Sequence, residues 1–158
     1  MDNSKKEYVI CELTVDDFEE ASSLAISVFN KYEAPDYSDE GINTFHDFCT
    51  PQSLEKIMQG RNLKLWGAYI NDRLIGLIAT RDGNHIALFF VDGEYHRRGI
   101  GHDLFNTALK EIADAGYGEV TVNSSPYAAP VYRSLGFTQT DVELLRNGIR
   151  FTPMLRKV

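Results

Sequence analysis

The residues with the clearest chemical potential lie between Leu88 and His102. There Leu-Phe-Phe-Val-Asp-Gly-Glu-Tyr-His-Arg-Arg-Gly-Ile-Gly-His carries an apolar run into a turn and then into a Gly-x-Gly pair opening a helical pattern. A helix start has unpaired N–H groups and the positive end of the helix dipole, and glycines let a phosphate approach closely. Arg97 and Arg98 add charge just ahead of it. This is the chemistry of an anion cradle, fit for a diphosphate. It is not a dinucleotide fingerprint, because the third glycine position holds Leu104. Nor is it a Walker loop, since Gly101 is followed by His102 and Asp103 rather than by Lys and Ser or Thr.

A second stretch stands downstream: Val122-Asn123-Ser124-Ser125-Pro126-Tyr127-Ala128-Ala129-Pro130-Val131-Tyr132-Arg133-Ser134-Leu135-Gly136-Phe137. Together the two stretches resemble the signatures of the GCN5-related N-acetyltransferases (GNAT). In that family Gln/Arg-x-x-Gly-x-Gly/Ala follows the fourth strand, and a later tyrosine precedes a Leu-Gly-Phe by three residues. The order of elements is similar to the family's over nearly the whole chain. The resemblance implies a GNAT-like α+β fold, acetyl-CoA as cosubstrate, and direct transfer of an acetyl group to a primary amine.

Residue roles follow from the resemblance. The backbone of Phe89, Phe90 and Val91 would line the pantetheine arm, with a main-chain N–H polarising the thioester carbonyl. His96, Arg97, Arg98, Gly99, Ile100, Gly101 and His102 would surround the pyrophosphate, mostly through backbone N–H groups. Asn123 and Ser125 are both expected near the cofactor, because the family's asparagine position holds Ser125 here. The family's leading Gln/Arg is His96, so side-chain help at the phosphates falls to the two arginines. Tyr132 matches the tyrosine that protonates the leaving thiolate, and a phenol with a pKa near 10 is still a proton donor at neutral pH.

An alkyl ammonium with a pKa near 10.4 is almost wholly protonated at neutral pH, so a base is needed. His85, six residues before Val91, is the first candidate, and Glu33 and Asp36 are the others. The stretch from Glu33 to Glu40 carries four acids and no base, and would draw a cationic amine, small molecule or peptide, if it borders the acceptor. Tyr37, Phe45 and Phe48 would wall an apolar part of that acceptor, or simply pack in the core. The alternative reading is a non-catalytic acyl-CoA-binding or partner-binding module, against which the retained Tyr132 argues. A transferase acting on charged tRNA fits poorly with the net charge of −7.

These residues need a scaffold. The pattern predicts a strand over 8–13, a Thr14-x-x-Asp17 helix start, and an apolar stripe of Phe18, Ala21, Ala25, Val28, Phe29 and Tyr32 on a helix ending near Lys31. Short helices follow around Phe45–Cys49 and Leu54–Met58. Strands are expected over 63–70, 74–80 and 85–92, joined by Asn71-Asp72 and Asp82-Gly83-Asn84 turns. A helix from Ile100 to Gly116, a strand over 119–123, a short helix over 128–135, a strand from Phe137 and a last strand over 148–155 complete the chain. The sum is one α+β domain over residues 1–158, a mixed sheet of six to seven strands flanked by about four helices.

With 158 residues, 43% of them hydrophobic and 25% charged, the chain has ordinary globular composition and enough length for a core. Cys11 and Cys49 lack metal-site spacing and read as two buried thiols of a reducing compartment. No apolar stretch approaches a membrane span, and the polar start, Met1 to Glu7, has no apolar leader core behind it. The expectation is a cytoplasmic protein with no metal, no nucleic-acid partner and no membrane partner. Its antiparallel edge strands would permit a homodimer.

Overall fold

The computed structural model describes residues 7–158. The polar lead-in Met1–Lys6 lies outside the described residues. The strands are β1 (Val9–Leu13), β2 (Lys64–Ile70), β3 (Arg73–Arg81), β4 (His85–Val91), β5 (Glu119–Ser124), β6 (Thr138–Gln139), β7 (Leu144–Arg146) and β8 (Ile149–Lys157). The helices are α1 (Phe18–Tyr32), α2 (Asp39–Phe48), α3 (Pro51–Arg61), α4 (Ile100–Asp114) and α5 (Ala129–Ser134). The class is α+β, as expected, but the described residues carry eight strands and five helices rather than six to seven and about four.

The sheet runs β1-β2-β3-β4-β5-β8-β6, with β7 paired to β8. Every pairing is antiparallel except β4 with β5. The unexpected strand is β7, three residues long and formed by the Asn147-Gly148 turn. Both turn residues have positive φ, 52° and 81°, the backbone that a tight hairpin between twisted strands requires. The Asn71-Asp72 and Asp82-Gly83 turns share that sign at both positions.

Helix boundaries follow local chemistry. Thr14 and Asp17 form a reciprocal capping box, but around a single 3-10 turn, Val15–Asp17, which leads into α1. Thr50 caps α3 by accepting from the Ser53 N–H, and Asn62 ends it at φ 54°. The helix therefore runs past Gly60 to Arg61. Asp39 and Glu40 occupy the first turn of α2, where the helix dipole favours negative charge.

Two apolar layers sandwich the sheet. Phe18, Ala21, Ala25, Val28 and Phe29 of α1 pack with Leu54 of α3 and with Leu65 and Leu77 on one face. Ile100, Leu104, Phe105, Ala108 and Ile112 of α4 pack with Ile75, Ile78, Val120 and Val122 on the other. Burying a side chain of Phe or Leu size stabilises by roughly 1.5–3 kcal/mol, so α1 and α4 are held by these stripes rather than by propensity.

Strand β4 carries an irregularity that matters more than the rest. Its register with β3 shifts between Ala79 and Thr80, leaving Ala87 as an extra residue. Side chains normally alternate faces, yet Ile86 joins the α4 layer while Leu88 and Phe90 join the α1 layer. The bulge reverses the parity and bends β4. The parallel ladder with β5 is two pairs long, His85 with Thr121 and Ile86 with Val122, and beyond it the strands part. Cys49 is buried as expected, whereas Cys11 is exposed on the edge strand β1; both are free thiols.

Candidate functional site

Where β4 and β5 part, two adjoining cavities flank the cleft. The first, about 340 Å³, lies toward α2 and the β7–β8 hairpin. The second, about 370 Å³, lies toward the start of α4. Glu33, Phe89, Phe90, Ala128 and Tyr132 line both, and so mark the junction.

The second cavity is bordered by Val91, Arg97, Gly99, Gly101 and His102. Gly99 is the residue before α4 and has φ 84°, a left-handed backbone that glycine adopts freely, and Arg97 shares the sign at φ 64°. No side chain caps this helix end. Its first-turn N–H groups have no acceptor within the helix, and a Cβ on Gly99 would find its nearest neighbour 3.8 Å away at the Tyr8 hydroxyl. The geometry is that of an open nest of N–H groups suited to a phosphate-type anion.

The other expected residues of this segment divide. Ile100 is buried beneath the helix, so only its backbone faces outward. Arg98 turns its guanidinium over the Tyr95 ring and toward Glu7. His96 donates from Nε2 to the Val91 carbonyl at 2.8 Å, fastening the turn to the end of β4. Its ring also lies beside Tyr32, 5.5 Å between centroids, and Tyr32 stacks in turn with Tyr127 at 5.4 Å. The two tyrosines line the second cavity; the sequence places Tyr32 only in the apolar stripe of α1 and gives Tyr127 no role of its own. Asn123 and Ser125 line the first cavity rather than the second, and the Ser125 hydroxyl accepts from the Ala128 N–H.

At the junction, Tyr132 is 6% exposed and is braced by Phe137 edge-on at 5.4 Å and by Phe89 at 6.2 Å. Burial, reinforced by the nearby Glu33 carboxylate, pushes its phenol well above the ordinary range. Glu33 follows the last residue of α1. Burial pushes its carboxyl up to about 7, a hydrogen bond from Ser125 pulls the other way, and Asp36 adds to the rise. Pro130 falls in the first turn of α5, where the missing N–H costs nothing, so the tyrosine keeps its place on that helix.

His85 lines the first cavity from the start of β4. Its Nδ1 shares a hydrogen bond of 2.8 Å with the Thr121 hydroxyl. Burial, with Arg81 adding to it, pushes its imidazole down to about 4, so it is neutral at pH 7. Of the acidic stretch, Glu33 alone borders the cavity: Asp36, Asp39 and Glu40 are exposed, and the Asp36 carbonyl accepts from Arg150 at 3.0 Å.

The first cavity is roofed by contacts of α2 and the residues just before it with the hairpin. Thr44 donates to the Asn147 carbonyl at 2.7 Å, and Tyr37 donates to the Arg150 carbonyl at 3.0 Å. Aromatic walls come from Phe29, Phe45 and Phe151, the first two stacked at 4.0 Å. Among the described residues no cluster of His, Cys, Asp and Glu is arranged to hold a metal, and no helix is long and apolar enough to cross a membrane.

Comparison with known proteins bears on this arrangement. The uncharacterized N-acetyltransferase YafP of Escherichia coli (strain K12) is 28% identical over 121 residues, covering 77% of this chain and 75% of that protein. The GCN5-related N-acetyltransferase structure from Rhodopseudomonas palustris superposes with a TM-score of 0.83 at 17% identity, covering 97% of each chain. The PaiA N-acetyltransferase of Thermoplasma acidophilum, solved in complex with coenzyme A, superposes with a TM-score of 0.80 at 22% identity over 97% of this chain and all of that one. The family model described as the acetyltransferase (GNAT) domain matches residues 33–158, from the junction glutamate through the nest to the last strand. The chain belongs to the GNAT family of acetyltransferases.

Proposed function

We propose that the chain is a single N-acetyltransferase domain that moves an acetyl group from acetyl-CoA directly to a primary amine. The observation that carries this reading is the pair of cavities meeting at Tyr132 and Glu33. Two substrates entering from opposite sides would bring their reacting atoms together there. The complex of the Thermoplasma relative with coenzyme A supports the choice of cofactor.

The residues present fit that cofactor. The uncapped start of α4 and the open space at Gly99 suit its pyrophosphate, and the unladdered edge of β4 beyond Ile86 suits an extended amide-bearing arm. When bound, acetyl-CoA supplies an activated acetyl carbon and a thiolate leaving group. The chain supplies the rest. Backbone N–H groups from Gly99 to His102 hold the phosphates, and a β4 N–H donates to the carbonyl oxygen where negative charge develops. The Tyr132 hydroxyl gives its proton to the departing sulfur.

The base is Glu33. A group with a pKa of about 7 balances availability against strength near neutral pH, and Glu33 stands at the junction. His85 is the weaker choice: at about 4 its imidazole holds a proton too loosely, and it borders the first cavity alone. Release of CoA thiol from acetyl-CoA in the presence of a panel of primary amines tests the proposal, with calorimetric binding of acetyl-CoA alongside. Binding with amine-dependent thiol release is the expected result. Failure of both acetyl-CoA and CoA to bind would overturn it.

A further inference from the structure

We propose that the acceptor amine also carries an anionic group, a carboxylate or its equivalent, which is received by Arg146. This inference rests on the proposed function, since it names the substrate class of that same site.

Arg146 lines the first cavity from the last position of β7. Among the described residues its guanidinium has no carboxylate partner, unlike Arg61, Arg73, Arg81, Arg98 and Arg150, each of which is paired. It lies instead over the Phe151 ring, 5.6 Å from the centroid, and that ring is itself a wall of the cavity. The stack fixes a planar fork of donors while leaving its hydrogen bonds unused. Arg81 lines the same cavity but is held by Asp82 at 2.6 Å. Of the two arginines lining this cavity, Arg146 is therefore the one with capacity left.

The opposite charge sits elsewhere in the cavity. Glu33 is at the junction: burial and Asp36 raise its pKa, a hydrogen bond from Ser125 opposes them, and neither arginine contributes. The carboxylate and the free guanidinium are thus separate features of one chamber. Phe29, Phe45 and Phe151 line the same chamber. An acceptor that satisfies all three has its amine at Glu33 and Tyr132, an apolar or aromatic body, and an anion at Arg146. A purely cationic amine leaves Arg146 unpaired and adds a like charge to the same chamber.

The test compares matched probes that differ in one group. Phenylalanine, 5-aminopentanoate and 4-(aminomethyl)benzoate are assayed against their carboxamides, by thiol release at saturating acetyl-CoA and by calorimetric binding to the protein with CoA present. At least one carboxylate is expected to exceed its amide by about tenfold to a hundredfold in kcat/KM or affinity, the range of a charge-assisted hydrogen bond. Arg146→Gln brings that ratio close to one, mainly through KM, and Arg146→Lys restores part of it. Equal use of carboxylates and amides, binding of neither, or a ratio unchanged in Arg146→Gln overturns the inference. Turnover without carboxylate preference sinks the inference and leaves the transferase reading standing. Selective binding without turnover does the reverse.

Discussion

Gly41 and Gly148 meet backbone against backbone, so closely that a Cβ on either would overlap the main chain of the other. Gly41 lies in the first turn of α2 and Gly148 in the β7–β8 turn, so this contact sets how near the helix comes to the hairpin. Between those elements lies the first cavity. Gly148 also has φ 81°, which costs an alanine roughly 1–2 kcal/mol before any overlap is counted. Gly148→Ala is expected to destabilise by about 2–3 kcal/mol in all, lowering the melting temperature by roughly 5–10 °C. Acceptor KM should rise well before acetyl-CoA affinity changes, because the second cavity does not touch this contact. Equal loss of both would show that the hairpin supports the whole cleft.

Tyr132→Phe removes one oxygen from a ring that Phe137 and Phe89 hold in place. The packing survives, so the effect isolates the proton. The expected outcome is a fall in kcat of roughly 10²–10⁴-fold, the range for loss of a positioned general acid. The dissociation constant for acetyl-CoA should stay within a few-fold of wild type. Parallel losses in kcat and in cofactor affinity would make the tyrosine a binding contact instead.

The strands and the anion nest were legible from the sequence because each depends on local chemistry: a continuous apolar run in β3, alternating apolar residues in β5, Gly99 and Gly101 at a helix start. The hairpin carrying β7 was missed although Asn147-Gly148 is a strong turn signal, because three residues hold too little periodicity to register as a strand. Ala87 could not have been foreseen. A bulge is a relation between two strands, and only the register of β3 against β4 reveals that Ile86 and Leu88 face opposite layers. The same holds for Glu33, one acid among four until burial separates it from Asp36, Asp39 and Glu40. His85 carried the stronger expectation because spacing cannot register desolvation.

Gly101 faces the Phe89 ring at ordinary contact distance, 3.6 Å from a Cβ placed there, and its φ is not in the left-handed region. A side chain at this position therefore fits the fold. Gly101→Glu puts a carboxylate against the phosphate nest and is expected to weaken acetyl-CoA binding at least about a hundredfold, with little change in melting temperature. Gly101→Ala serves as the control for bulk, and calorimetry on both variants reads the difference. Similar binding by wild type and Gly101→Glu would place the phosphates elsewhere.

The pH dependence separates the two candidate bases. A base must be deprotonated to act, so kcat/KM rises as pH passes upward through its pKa. With Glu33 in that role the rise is centred near 7; with His85 it would be centred near 4. Glu33→Gln should remove the limb near 7 and lower the plateau, whereas His85→Gln should leave the limb in place. Stability supplies a second readout that needs no substrate. The folded chain holds the Glu33 proton more tightly than the unfolded chain, whose carboxyl titrates near 4.5, so ionisation opposes folding as pH rises from about 4.5 to about 7. Glu33→Gln should therefore gain stability relative to wild type on going from pH 5 to pH 8, measured by denaturant titration at both. A constant difference between the two proteins would mean that the carboxyl titrates normally in the fold, and the base role would then lose its physical footing.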